Sequence, residues 1–293
     1  MNVSRFSAHN AELGESPRWN GSEHALYWVD VVGRTLHRRT PGRDDETRWP
    51  LPGLPGALAF RRAGGLLLAL RNGIVLSNAP GQPWRAVDLP GIDFARERIN
   101  DGATDSLGRF WFGTFSPQLA PGRGSLYRLD PDLRLYRMDS GFSMSNGIAF
   151  SPDERSMYFA DTHGGRIWRY DFDAAAGTVS AREPFVDYQE RHGLPDGCCI
   201  DTLGRLWVAE VGGARVACYA AHGDPARAPE IAIDLPVSKP TAVAFGGDGL
   251  STLFIATQWR GLPAAERKRQ PLAGACLAVL GPARGIPPHP FAA

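Results

Sequence analysis

Residues 145–161 read SNGIAFSPDERSMYFAD: a short apolar strand, a polar turn at Ser151-Pro152-Asp153, and a second, aromatic-rich strand. Apolar runs of this length, broken by Pro, Asp and Gly, are hairpin signals. The second half of the hairpin recurs along the chain. LYWVD starts at Leu26, LLLAL at Leu66, FWFGT at Phe110, MYFAD at Met157, LWVAE at Leu206 and LFIAT at Leu253. The steps between starts are 40, 44, 47, 49 and 47 residues, a period that marks a repeat architecture.

Each unit repeats more than that strand. Preceding strands are GESPRW at Gly14, PGALAF at Pro55, NDGATD at Asn100, NGIAFS at Asn146, DGCCID at Asp196 and PTAVAF at Pro240. Three connecting turns are alike: DSLGR at Asp105, SPDER at Ser151 and DTLGR at Asp201. Gly-bearing tight turns and two further strands follow in most units. Four antiparallel strands repeated six times predict an all-β, six-bladed β-propeller. The last unit lacks a fourth strand, and residues 3–9 form a strand with no unit of their own. That segment is expected to join the last blade and close the ring, removing an exposed edge. No stretch has helical periodicity of useful length, so an α/β reading fails. Ala264–Arg269 is expected to be a loop insertion, and residues 1–293 a single domain.

Composition narrows the function. Among 293 residues 43% are hydrophobic, ample for a core, and the net charge of +1 gives no electrostatic case for nucleic acid or an anionic membrane. No run approaches a membrane span, and MNVSRFSAHN lacks the apolar core of a secretion signal, so a cytoplasmic location is expected. The cysteines Cys198, Cys199, Cys218 and Cys276 show no metal-type spacing and are expected to be free thiols.

In a propeller the first strand of each blade lines the central channel, so equivalent positions converge on the axis. Counting back from the repeated strand, Glu15 lies 11 residues before Leu26 and Asn100 lies 10 before Phe110. Asn146 lies 11 before Met157, Asp196 10 before Leu206 and Thr241 12 before Leu253, while blade two offers only Gly56 or Ala57. Glu15, Asn100, Asn146 and Asp196 thus form a ring of oxygen donors. Two carboxylates crowded there would raise each other's pKa, and a divalent cation resolves the conflict. Oxygen donors alone favour a hard metal, Ca²⁺, Mg²⁺ or Mn²⁺. The competing reading is that Asn-Gly and Asp-Gly are ordinary turn formers, placed alike by the repeat for backbone reasons only. Four polar leads at one repeat position, two of them acidic, favour a site.

GESPRW at Gly14, RINDGATDSLGRFWFGT at Arg98, SNGIAFSPD at Ser145 and LPDGCCIDTLGRLWVA at Leu194 together resemble the regucalcin (senescence marker protein)/gluconolactonase/luciferin-regenerating-enzyme family. The likeness covers essentially the whole chain and is nearest the bacterial sugar-lactonase type. It implies a six-bladed propeller, in agreement with the repeat count. It also implies metal ligands at Glu15, Asn146 and Asp196, substrate contacts at Arg98 and Asn100, and one divalent ion, with Zn²⁺ or Fe²⁺ added to the candidates. One departure is visible. Animal members carry a long Glu-bearing lid after the FAGTM-like strand, whereas residues 115–124, FSPQLAPGRG, contain no acid and offer only Gln118.

The resulting expectation is hydrolysis of an aldonolactone to the aldonic acid by a cytoplasmic monomer or weak homodimer. The metal polarises the carbonyl, and either Asp196 or a metal-bound water activates attack. Alternatives are another lactone, ester or phosphotriester hydrolase on the same scaffold, a non-catalytic calcium-binding regulatory protein, or a propeller interaction module. Other residues have blander readings. His163 is expected in a hairpin turn, Cys198 and Cys199 in the blade, and residues 266–269 in a solvated loop. His192 and Trp259 are open between scaffold and pocket.

Overall fold

The computed structural model describes residues 1–188 and 192–293. Strand β1 (Val3–Arg5) precedes blade one, which comprises β2 (Gly14–Asn20), β3 (Ala25–Asp30), β4 (Thr35–Arg39) and β5 (Glu46–Pro50). Blade two holds β6 (Pro55–Phe60), β7 (Leu66–Leu70), β8 (Gly73–Ser77) and β9 (Arg85–Val87). Blade three holds β10 (Arg98–Thr104), β11 (Phe110–Phe115), β12 (Gly124–Leu129) and β13 (Leu135–Phe142). Blade four holds β14 (Ser145–Phe150), β15 (Ser156–Asp161), β16 (Arg166–Asp173) and β17 (Thr178–Asp187). Blade five holds β18 (Leu194–Ile200), β19 (Leu206–Val211), β20 (Arg215–Tyr219) and β21 (Ile231–Asp234). Blade six holds β22 (Pro240–Gly246), β23 (Thr252–Thr257) and β24 (Leu277–Leu280), and β1 pairs antiparallel with β24 to complete it. The six four-stranded antiparallel sheets are the expected propeller, closed by the N-terminal strand. That strand is shorter than the expected 3–9.

Second strands are buried along almost their whole length because each lies between two neighbouring blades. This explains why LYWVD, FWFGT and MYFAD are apolar on both faces, as strands covered on both sides must be. Trp111 of β11 packs with Ile148 and Phe159 of blade four, and Trp207 of β19 packs with Phe245 and Leu253 of blade six.

The recurring DxLGR turns have a structural cause. Asp105 is fully buried; it accepts from the backbone N–H of Leu107 and Arg109, from Arg109 Nε at 2.6 Å and from Trp111 Nε1 at 2.8 Å. Asp201 repeats the pattern with Leu203, Arg205 Nε at 2.7 Å and Trp207 Nε1 at 2.9 Å. One carboxylate satisfies a turn, an arginine and the indole of the next core tryptophan, so both aspartates are scaffold.

Two local expectations are corrected. Ala264–Arg269 is a six-residue helix, α1, within the connection from β23 to β24, because Pro263 starts it and Arg267 N–H bonds Pro263 O. Arg267 is likewise not merely solvated, since its guanidinium lies 3.7 Å from the centroid of the Trp259 ring. After β24 the chain crosses the far end of the channel. Gly285 bridges to Asp201 and Phe291 to Arg61, Ala292 N–H bonds Gly108 O, and Phe291 is completely buried in the core of blades two and three.

Candidate functional site

Every inner strand carries one extra residue at the same level. The register breaks between Glu15 and Arg18, Pro55 and Ala57, Ile99 and Gly102, Asn146 and Ile148, Pro195 and Cys198, and Pro240 and Ala242. A bulge bends its strand and re-aims the side chains beside it. Here six of them put the polar leads at one height in the channel. The glycines that follow are not turn residues. Gly147 and Gly197 lie inside strands and without positive φ. A Cβ on Gly147 would lie 2.6 Å from Asp196 O, and one on Gly197 2.5 Å from Ala242 Cβ. Glycine follows Asn146 and Asp196 because the backbone of the next blade occupies the space a side chain would need.

The electrostatics single out Glu15 and Asp196. Burial, then Asp196, then Asp101, hold the Glu15 carboxyl well above the usual carboxylate range, with Arg71 opposing. Burial, then Asp101, raise Asp196 in the same way, offset by the Gly197 backbone N–H. Asp196 is 5% exposed, and its buried Oδ1 has no hydrogen-bond partner. Asn146, equally buried, donates Nδ2–H to Thr162 Oγ1 at 3.1 Å, leaving its carbonyl oxygen uncommitted. Asn100 donates Nδ2–H to Ser145 O at 3.0 Å, so its amide oxygen is free in the same manner. An orphaned carboxylate oxygen, a free amide oxygen and buried acids, with Asp196 and Asp101 raising Glu15 and Asp101 raising Asp196, lack a positive charge. Glu15, Asn146 and Asp196 could therefore hold a hard divalent cation. Among the described residues no three His, Cys, Asp or Glu side chains are placed to hold a metal, so Asp101 does not complete such a cluster.

Two contributors escaped the repeat comparison. Asp101 adjoins Asn100 in the bulge of β10; its carboxyl is raised by burial and lowered by Arg18. Its signal was the adjacent pair of polar residues in RINDG, which a one-position comparison skips. Arg71 comes from the β7–β8 turn, where blade two has no polar lead. Its signal was an arginine after an otherwise apolar LLLAL.

The remaining candidates separate cleanly. Arg98, at the start of β10, is half-buried and bonds Glu97 O. Thr241 is wholly buried and donates to Gly14 O, tying blade six to blade one. His163 and His192 are exposed, the former in the β15–β16 turn. Trp259 packs on the core between blades five and six. Cys198, Cys218 and Cys276 are buried, Cys199 is half-buried, and all four are free. Gln118 is exposed and bonded to Ser116 Oγ at 3.2 Å, turned along its own loop. A cavity of about 360 Å³ opens at the far end, under Ile286 and Pro287. Its walls are largely apolar, including Phe150, Phe172 and Phe245, and none of Glu15, Arg98, Asn100, Asn146 or Asp196 lines it.

Comparison with known proteins agrees with this architecture. A 6-deoxy-6-sulfogluconolactonase of Pseudomonas putida is 36% identical over 269 residues, covering 91% of this chain and 90% of the relative. A pentonolactonase, XacC, of Haloferax volcanii is 35% identical over 260 residues, covering 88% and 85%. A luciferin-regenerating enzyme of known structure superposes with a TM-score of 0.91 at 27% identity, covering 100% and 99% of the two chains. Residues 13–258 match the family model for the SMP-30/gluconolactonase/LRE-like region, and the chain belongs to that family.

Proposed function

We propose that the protein is a sugar lactonase that adds water across the ring ester of an aldonolactone and releases the aldonic acid. The observation that carries this reading is the buried, unpartnered Oδ1 of Asp196 beside the free amide oxygen of Asn146 and the Glu15 carboxylate. The two relatives named as lactonases support the same reaction class. Glu15, Asn146 and Asp196 are the residues that would hold a divalent cation. When bound, the cation supplies Lewis acidity toward the lactone carbonyl oxygen.

The side chains have separable tasks. Asp196 takes the proton from the attacking water and returns it to the ring oxygen as the acyl C–O bond breaks, so protons balance over the cycle. Arg98 orients the substrate by donating to its carbonyl and hydroxyl oxygens, and the free amide oxygen of Asn100 accepts from a substrate hydroxyl. The bulged strands fix these groups relative to one another, so little reorganisation accompanies reaction.

The test is Asp196→Ala and Asn146→Ala, assayed on a lactone panel with metal content measured in parallel. Each variant should lose about 10²-fold or more in kcat/KM, the scale of a positioned acid–base group. Wild-type rates with metal retained in both variants would overturn the assignment.

A further inference from the structure

Three arginines meet at the mouth where Glu15 lies. Arg71 is close enough to Arg98 and Arg260 for both charges to lower its pKa alongside burial, with Glu15 acting in the opposite sense. The backbone explains the convergence. Arg71 O accepts from Ile99 N–H at 3.1 Å, and the Arg71 guanidinium lies 4.9 Å from the centroid of Phe115, the residue paired with Arg98 in the sheet. Arg260 N–H bonds Glu12 O at 3.1 Å, three residues ahead of Glu15, and Arg260 O accepts from Lys239 Nζ at 3.0 Å, which brings a fourth cation.

These side chains are under-used. Among the described residues none of Arg71, Arg98, Arg260 or Lys239 has a carboxylate oxygen within 4.0 Å. Several other arginines that reach into the fold are paired, as Arg109 is with Asp105, Arg128 with Asp130 and Arg205 with Asp201. Arg71 is half-buried, yet none of its side-chain N–H groups donates a hydrogen bond to protein. Like charges gathered without acids repel one another. Glu15 offsets Arg71, while Arg98 and Lys239 are half-buried and Arg260 is exposed. A neutral lactone, held through its carbonyl and hydroxyl oxygens by Arg98, leaves the charges of Arg71 and Arg260 without a matching anion. An oxyanion matches it, because guanidinium forks bind carboxylate, sulfonate and phosphate in two-point contacts.

We propose that the substrate is an anionic sugar lactone, whose exocyclic carboxylate, sulfonate or phosphate is held by Arg71 and Arg260, with Arg98 between that group and the ring. This rests on the lactonase reading and adds a charge requirement to it. The carboxylate formed on ring opening is common to every lactone, so it does not account for a preference among substrates.

The experiment compares D-glucono-1,5-lactone with its 6-carboxy, 6-sulfo and 6-phospho counterparts on the wild type, Arg71→Gln and Arg260→Gln. One charge-assisted contact corresponds to about 10-fold to 100-fold in kcat/KM. The charged lactones should exceed the neutral one by at least that factor in the wild type, and the excess should shrink as salt rises. Each variant should lose about 10-fold more on charged than on neutral lactones. The ranking of the three charged substrates identifies the oxyanion. Equal use of neutral and charged lactones, or parallel losses on both in the well-folded Arg260→Gln protein, would overturn this proposal alone. Absence of hydrolysis across the panel would overturn the lactonase reading and this proposal with it.

Discussion

Gly147→Ala tests whether strand crowding at the axis sets the site. The added methyl would lie 2.6 Å from Asp196 O, 2.9 Å from Cys198 Sγ and 3.0 Å from Cys198 N. Ordinary contact begins near 3.4 Å, so β14 and β18 must separate by about 0.8 Å. Two of the three obstacles are backbone atoms, which cannot rotate aside, and overpacking of this kind costs about 1–3 kcal/mol. The displacement falls on the peptide of Asp196 and the neighbour of Asn146. A shift approaching 1 Å at a reacting group is worth about 10²-fold in rate. Thermal or urea unfolding combined with lactone kinetics reads both effects. Gly21→Ala, with nothing within 4 Å of the new methyl, is the matched control and should change neither. A Gly147→Ala protein with wild-type stability and wild-type kcat/KM would refute the claim that these glycines exist for close approach.

Asp105→Ala should destabilise the fold by about 3–5 kcal/mol, because Arg109 and the Trp111 indole lose a buried partner; chemical unfolding reads this, and KM should not move. Phe291→Ala should cost about 3–5 kcal/mol, since its fully buried ring packs the tail onto blades two and three; unfolding midpoints check it. The metal-stripped protein should lose stability as pH rises. Glu15 and Asp196 have folded-state pKa values raised above their unfolded ones, so the stability present below the ordinary carboxylate range, about 4, is lost as pH climbs through the raised values. Melting temperatures from pH 5 to 8 should therefore fall, less steeply in Asp196→Asn, and a rising curve would contradict the crowding of the two acids. Adding Ca²⁺, Mg²⁺ or Mn²⁺ should reverse the trend by binding only the ionised, folded form.

The blade count was legible because each blade repeats one local hydrophobic pattern, and burial between neighbours forces the second strand to be apolar on both faces. The polar leads Glu15, Asn100, Asn146 and Asp196 were legible for the same reason: a repeat makes sequence offset a proxy for position around an axis. Arg71 and Asp101 were not, because each departs from that offset, one arriving from a hairpin turn and the other as the second residue of a bulge.

Sequence by itself determined the six-bladed ring, its closure by the first strand and the chemical type of the ring of oxygen donors. Tertiary structure alone decided that the glycines serve close approach rather than turns. It also decided that the C-terminal segment straps the far end and that Arg71, Arg98 and Arg260 share one mouth. The first set follows from local periodicity, which every blade states again. The second depends on distances between blades, which hydrophobic patterning along one strand does not encode.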